Sequence, residues 1–232
     1  MSDYVFVLSS GKEIPVIINT KRGLKNITLR PKVVPQPEIV ISKPWLVSAG
    51  TAIKFLESKQ RWIENVFKSM PVKSVIKSGD KINFLGREVL VLHNSGVRSN
   101  HFDAQGCILT VGGGEDMFQR RVRDFIKSEF LKEVKAIIKT APKEFWPRKI
   151  VIRDTVSRWG SCSSTGTMSF SWRLALAPVD VMRYVVMHEL AHVKHMDHSL
   201  EFWATVRELY GFGVERAKRW LVSNGAQLHC YF

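Results

Sequence analysis

Short apolar runs bounded by turn residues fill most of the first 112 positions. "ITLRPK" and "EIVISKP" have the length and β-branched content of strands, and the Pro35 and Pro37 region between them predicts a turn. "KINFLGREVLVLH" carries Leu85-Gly86 at its centre and "HFDAQGCILTV" carries Gln105-Gly106, so each predicts a hairpin. One segment has a different period. From about Thr51 to Lys68, the residues Phe55, Leu56, Trp62, Ile63, Val66 and Phe67 recur at helical spacing and predict one helix.

Gly112-Gly113-Gly114 marks a change of pattern. The run lacks the spacing and the Gly-Lys-Ser/Thr ending of a phosphate loop, so it reads as a turn. It separates a β-rich region, 1–112, from a second region, 113–232, unless the two form one continuous domain. A long helix follows from about Glu115 to Thr140, with Phe118, Val122, Phe125, Ile126, Val134, Ile137 and Ile138 as its stripe and Pro142 beyond its end. Next, Met168, Phe170, Trp172, Leu174 and Leu176 alternate with Ser169, Ser171, Arg173, Ala175 and Ala177, the period of a half-buried strand. With a turn at Ser163 to Gly166, residues 150–177 predict a hairpin. Pro178 then opens a helix that is apolar nearly all round: Val181, Met182, Tyr184, Val185, Val186, Met187, Leu190, Val193. The fold class is therefore α+β: a β-rich first half with one helix, then a half with a long helix, a β-hairpin and this buried helix.

Composition narrows the setting. A chain of 232 residues is long enough for one large domain or two small ones. No apolar run reaches the roughly 20 residues that span a bilayer, and Asp3, Lys12 and Glu13 interrupt the first segment, which lacks a signal-peptide layout. The expected location is cytoplasmic, with no membrane partner. Cys107, Cys162 and Cys230 are few, odd in number and far apart, which disfavours a disulfide framework. The formal charge of +14 favours anionic partners, nucleic acid among them, but no helix-turn-helix, zinc-finger or RNA-binding signature accompanies it.

The buried helix carries the candidate chemistry. "VVMHELAHVKHMDHSLEFW" holds four of the seven histidines: His188, His192, His195 and His198. His188 and His192 are four apart and project from one helical face, where one metal ion can be reached by both rings. Glu189 points about 100° away, placed to act as a base beside a metal-bound water, as the H-E-x-x-H pattern requires. The bland alternative is a set of hydrogen-bonded core histidines, which would still have to satisfy two imidazoles and a carboxylate inside an apolar helix. A third ligand could be His195 or His198. His195 shares the helical face but lies about 4.5 Å beyond His192 along the axis, too far for a third bond on a straight helix. Ser199 suits an N-cap, so the chain must turn near Met196 to His198, and that turn favours His198. The spacing of the outer histidines equals that of the metzincins, but His195 stands where that class has glycine and no Met-turn can follow.

"SRWGSCSSTGTMSFSWRLALAP" followed by "YVVMHELAHVKHMDHSLEFW" resembles the YgjP-like metallopeptidase family, itself distantly similar to SprT-like proteases of the zincin type. The looser resemblance includes "ITLRPK", "FLESKQRWI" and "RAKRWL". One departure is Ser199-Leu200 after the third histidine, where the family commonly has Ser-Pro. The resemblance implies His188, His192 and His198 as zinc ligands and Glu189 as base. It also implies a zincin-like C-terminal half in which a strand beside the helix borders the cleft. "RWGSC" then either lines that cleft, with Arg158 or Arg173 holding an anionic group, or is core; Trp159 and Trp172 are expected in the core.

The expected function is a zinc-dependent hydrolase, first a metallopeptidase with one Zn2+ ion or another divalent metal, whose bound water passes its proton to Glu189. A peptide or protein substrate could lie extended on a strand edge. Arg158, Arg173, Tyr184 and Tyr210 are candidates to stabilise the oxyanion. A metal-dependent nucleotide phosphohydrolase is the alternative, with cleft arginines holding phosphate; the charge suits that substrate better, the histidine motif suits a peptide. A DNA-associated protein with a structural metal is a third reading, against which the base beside an open site argues.

Overall fold

The computed structural model describes residues 4–32, 37–69, 75–155 and 157–231. They fall into two compact units, Met1–Val72 and Lys73–Phe232. The division lies at Val72, well before the Gly112 boundary expected from the pattern. The reason is that the strands after Lys73 share their apolar interior with the long helix that follows them.

The first unit contains β1 (Tyr4–Val7), β2 (Glu13–Lys21), β3 (Thr28–Lys32) and β4 (Glu38–Pro44) in the order β1-β2-β4-β3. β2 runs parallel to β4, and the other pairs are antiparallel. The two expected strands are β3 and β4; Pro35 lies outside the described residues. Helices α1 (Ala49–Ser58) and α2 (Gln60–Ser69) replace the single expected helix. Lys59 leaves helical geometry at φ −104°, ψ 14°, and its N–H turns back to the Leu56 and Glu57 carbonyls. Leu56 and Ile63 are both buried in the same core with Ile14, Ile39 and Ile41. The apolar stripe thus continues across the break, which is why periodicity reads one helix. Trp62 is exposed.

In the second unit, β5 (Lys81–Phe84), β6 (Arg87–Asn94), β7 (His101–Asp103) and β8 (Ile108–Gly112) form a sheet ordered β5-β6-β8-β7. Both hairpins predicted here form. Leu85 and Gly86 take φ 48° and 76°, the two left-handed residues of a tight two-residue turn. Gly86 is needed twice over, because a Cβ there would stand 2.6 Å from Val179 Cγ2. In the second hairpin Cys107, at φ 51°, takes the left-handed position that the sequence assigned to Gly106. Helix α3 (Glu115–Lys139) starts with Glu115 and Asp116, suited to its positive end, and buries the expected stripe plus Phe130, except that Phe125 is only partly buried.

The segment 150–177 departs from one hairpin. β10 (Gly160–Cys162) and β11 (Thr167–Ser171) do form a hairpin about the Ser163–Gly166 turn, but β9 (Lys149–Arg153) pairs parallel with β11 on its other side. β11 stops at Ser171, and Trp172–Leu176 coil into a 3-10 turn with all five residues buried. Alternation of large and small residues mimics a strand there, yet Ala175 is small enough to be buried with its neighbours and Arg173 is buried through an ion pair with Asp154. Helices α4 (Val179–Ala191), α5 (Leu200–Tyr210) and α6 (Val214–Leu228) complete the unit. α4 packs against α3, α5, α6 and β10. Its apolar residues from Val181 through Leu190 are buried as expected, whereas Val179 at its start and Val193 past its end are exposed.

Candidate metal centre

Helix α4 ends where the chemistry begins. His192 is its C-cap, and the N–H groups of Val193, Lys194 and His195 fold back onto the Leu190 and Ala191 carbonyls. The chain thus turns directly after the second histidine. Asp197 Oδ1 accepts from Ser199 N at 3.2 Å, and Ser199 caps α5 by accepting from Phe202 N. These local bonds reverse the chain and return His198 to His188 and His192. One ring nitrogen from each of the three lies within 4.8 Å of the others, a group that could hold a metal ion. His188 Nε2 and His198 Nε2 are 3.4 Å apart. Tetrahedral bonds of about 2.05 Å to a common ion separate two nitrogens by about 3.3 Å, so this pair is at ligand spacing.

The surroundings of His188 and His192 favour the neutral ring, the form that binds metal. Burial lowers His188 to about 4, with His192, His198 and Lys218 adding to the effect. Burial also lowers His192, opposed by its bond to the His195 carbonyl. That bond is 2.9 Å from His192 Nδ1, so this nitrogen carries the proton and Nε2 is left with its lone pair. His195 therefore sits beside the centre through its backbone, not its ring. Phe202 stacks on His192 with centroids 4.5 Å apart and is fully buried, and Trp203 lies 5.6 Å from His188. Lys218 covers the Trp203 face at 4.5 Å. Sequence reasoning missed Phe202, although "SLEFW" places an aromatic pair next to the last histidine.

Glu189 is 5% exposed, and burial pushes its carboxyl up to about 7, against the opposing pull of Arg158. Its carboxylate lies over Gly160 of β10: a Cβ at Gly160 would come within 2.6 Å of Glu189 Oε1 and 2.7 Å of Cγ. A glycine inside a strand is the signal that marks such a close approach.

The remaining candidates separate. Arg158 is exposed and near enough to influence Glu189. Arg173 is 4% exposed, bound to Asp154, and packed over the Trp172 ring at 4.5 Å. Its guanidinium belongs to the interior and is not offered to a cleft. Tyr210 donates its hydroxyl to the Asp180 carbonyl at 3.1 Å. Tyr184, with its ring 5.8 Å from His188, is pushed up to about 12 by burial and the nearby Glu215 and Glu189, so it stays a phenol. Trp172 is core as expected, while Trp159 is only partly buried and stacks on His229 at 4.7 Å. Burial and the Glu189 charge raise the Cys162 thiol, which opposes a thiolate nucleophile.

A family model described as YgjP-like, metallopeptidase domain, matches residues 25–224. A solved structure of the metallopeptidase zymogen of Pyrococcus abyssi abylysin aligns at 28% identity and a TM-score of 0.33, covering 44% of this chain and 94% of that one. No curated protein matches the chain. Among the described residues, no helix is long and apolar enough to cross a membrane.

Proposed function

Because the chain belongs to the YgjP-like metallopeptidase domain family, we propose that it is a zinc-dependent peptidase whose ligands are His188, His192 and His198 and whose general base is Glu189. The observation that carries this reading is the convergence of three imidazoles next to one buried carboxyl of raised proton affinity. Three nitrogen donors with a free fourth position suit zinc. When bound, such an ion supplies a Lewis acid that activates water and polarises a carbonyl oxygen.

The chain's own groups do the rest. Glu189, with a pKa of about 7, takes a proton from the attacking water and returns it to the leaving amine. Gly160 leaves the space that this carboxylate needs. The Tyr184 phenol is the candidate donor left to meet negative charge on the carbonyl oxygen. The β10 strand, at the edge of its sheet, offers backbone to an extended peptide.

The test is a comparison of the purified protein with Glu189→Gln. Metal content is measured in both, and both are screened against unstructured proteins and a panel of nucleoside triphosphates. Zinc in both proteins with proteolysis in the wild type alone is the expected result. A wild type that neither contains zinc nor responds to it would sink the reading, and hydrolysis confined to the nucleotides would replace the peptidase by the phosphohydrolase.

A further inference from the structure

On the face of the β10–β11–β9 sheet opposite the buried Met168 and Phe170 lies a cavity of about 410 Å³. Arg153 and Arg158 stand at it, and Ser161, Ser163, Thr167 and Ser169 contribute hydroxyls to its lining. No carboxylate lines it, and among the described residues neither arginine has an ion-pair partner. Both guanidinium groups are exposed. The hydroxyls are held in place: Ser161 Oγ and Ser169 Oγ share a bond of 2.8 Å, and Ser163 Oγ accepts from Thr167 N at 3.1 Å. Thr155 Oγ1 donates to the Arg158 carbonyl at 2.9 Å, fixing the loop that carries this cation. Two cations with several preset hydroxyls and no acid in the described lining are the chemistry that receives an oxyanion, although Arg158 also draws on the Glu189 carboxyl beyond it.

Strand β10 links this cavity to the candidate metal centre. Gly160 faces Glu189, whereas Ser161, the next residue, faces the cavity. The ladder phase also matters. Trp159 O accepts from Ser171 N and Ser163 N donates to Thr167 O, so residues 159, 161 and 163 bond inward to β11. The backbone groups of Gly160 and Cys162 then point away from the sheet, along its open edge. A peptide paired on that edge sends alternate side chains to opposite faces, one towards the centre and the next towards the arginines.

We propose that the Arg153–Arg158 cavity is a specificity subsite for an oxyanion-bearing side chain, carboxylate or phosphoryl, of a peptide docked on β10. The proposal rests on the peptidase reading above for its substrate, but not for its binding chemistry.

Metal-loaded protein is given short fluorogenic peptides of one neutral frame, with glutamate, phosphoserine, glutamine or lysine placed at successive positions. At one position glutamate or phosphoserine should raise kcat/KM about tenfold over glutamine, mainly through KM. The larger of the two effects identifies the anion. Arg153→Gln and Arg158→Gln should each bring that ratio towards one, and Arg153→Glu should turn the preference towards lysine. Equal cleavage of all four peptides, or a ratio unchanged in Arg153→Gln, overturns the subsite and leaves the peptidase reading standing. If no peptide is cleaved, that reading falls, and the subsite is judged by fluorescence anisotropy of labelled peptides on Glu189→Gln protein. Acid-selective binding that Arg153→Gln abolishes upholds it; the absence of such selectivity overturns it. A nucleoside triphosphate that displaces the labelled acidic peptide and is itself hydrolysed overturns the commitment to a peptide.

Discussion

Gly160 and Glu189 are in contact across the β10–α4 interface so closely that a Cβ on the glycine would overlap the carboxylate, at 2.6 Å from Oε1. The neighbour is the reacting end of a buried side chain, and α4 and β10 are both fixed by packing, so a methyl group must displace the carboxylate. Gly160→Ala should therefore lower kcat on a peptide substrate by about 10²-fold, the scale of an ångström-sized misplacement of a catalytic group. Zinc content should stay at the wild-type level, since none of the three histidines is touched. Steady-state kinetics with metal analysis decides it; an active Gly160→Ala protein would remove Glu189 from the role of base.

His195 and His198 give the second test. His198 contributes a ring nitrogen to the cluster, whereas His195 contributes its carbonyl to His192 Nδ1. Replacing His188, His192 or His198 by alanine should reduce bound metal from about one per chain to near zero after dialysis, since two nitrogens hold an ion poorly. His195→Ala keeps the carbonyl and should keep the metal. Elemental analysis of the four variants reads this directly, and metal loss in His195→Ala alone would reverse the assignment of the third ligand.

The convergence of these histidines was legible because it depends on local geometry: a four-residue spacing on one helix and a capping serine that forces a turn. The long helix Glu115–Lys139 was legible for the same reason. Three features were not. The break at Lys59 leaves Leu56 and Ile63 in one core, so periodicity passes over it. The 3-10 turn at Trp172–Leu176 alternates large and small side chains that all become buried. The placement of Arg173 depends on Asp154, nineteen residues earlier, and of Arg158 on the hydroxyls of two strands. Local pattern carries the elements, but which arginine meets a ligand is decided by partners distant along the chain.

Asp154 and Arg173 yield a stability prediction. Partial burial pushes the Asp154 carboxyl up, but Arg173 pulls it further down, so it lies below its ordinary value. Asp154→Asn leaves the buried guanidinium without its anion and should destabilise the protein by about 2–3 kcal/mol, less than a fully buried pair because Asp154 is partly solvated. Arg173→Met, which fills the space without a charge, should cost less than Asp154→Asn. Both folded variants should retain peptidase activity, because neither residue faces the centre. Denaturant melts and activity at 25 °C measure the two effects; a stable but inactive Arg173→Met would return this arginine to the substrate.

His229 makes that stability depend on pH. Its ring stacks on Trp159 at 4.7 Å, and its buried Nδ1 has no hydrogen-bond partner among the described residues. Burial, then the Arg173 charge, lower its pKa from 6.5 to about 4, with Asp154 opposing. The folded state thus takes up this proton only at lower pH than the unfolded chain does. The contribution to stability is complete above 6.5, falls as pH drops below that value, and is lost once pH passes 4. His229→Phe keeps an aromatic ring on Trp159 and removes the titration. Between pH 7 and pH 4 the variant should gain on the order of 1–2 kcal/mol relative to wild type, a figure reduced for the ring's partial exposure to solvent. Carboxylates and the other histidines titrate alike in both proteins and cancel in the difference. Urea melts of the two proteins across this range, in the same metal state, supply the comparison; parallel stability curves would show that His229 takes up its proton at the same pH in the folded and unfolded chain.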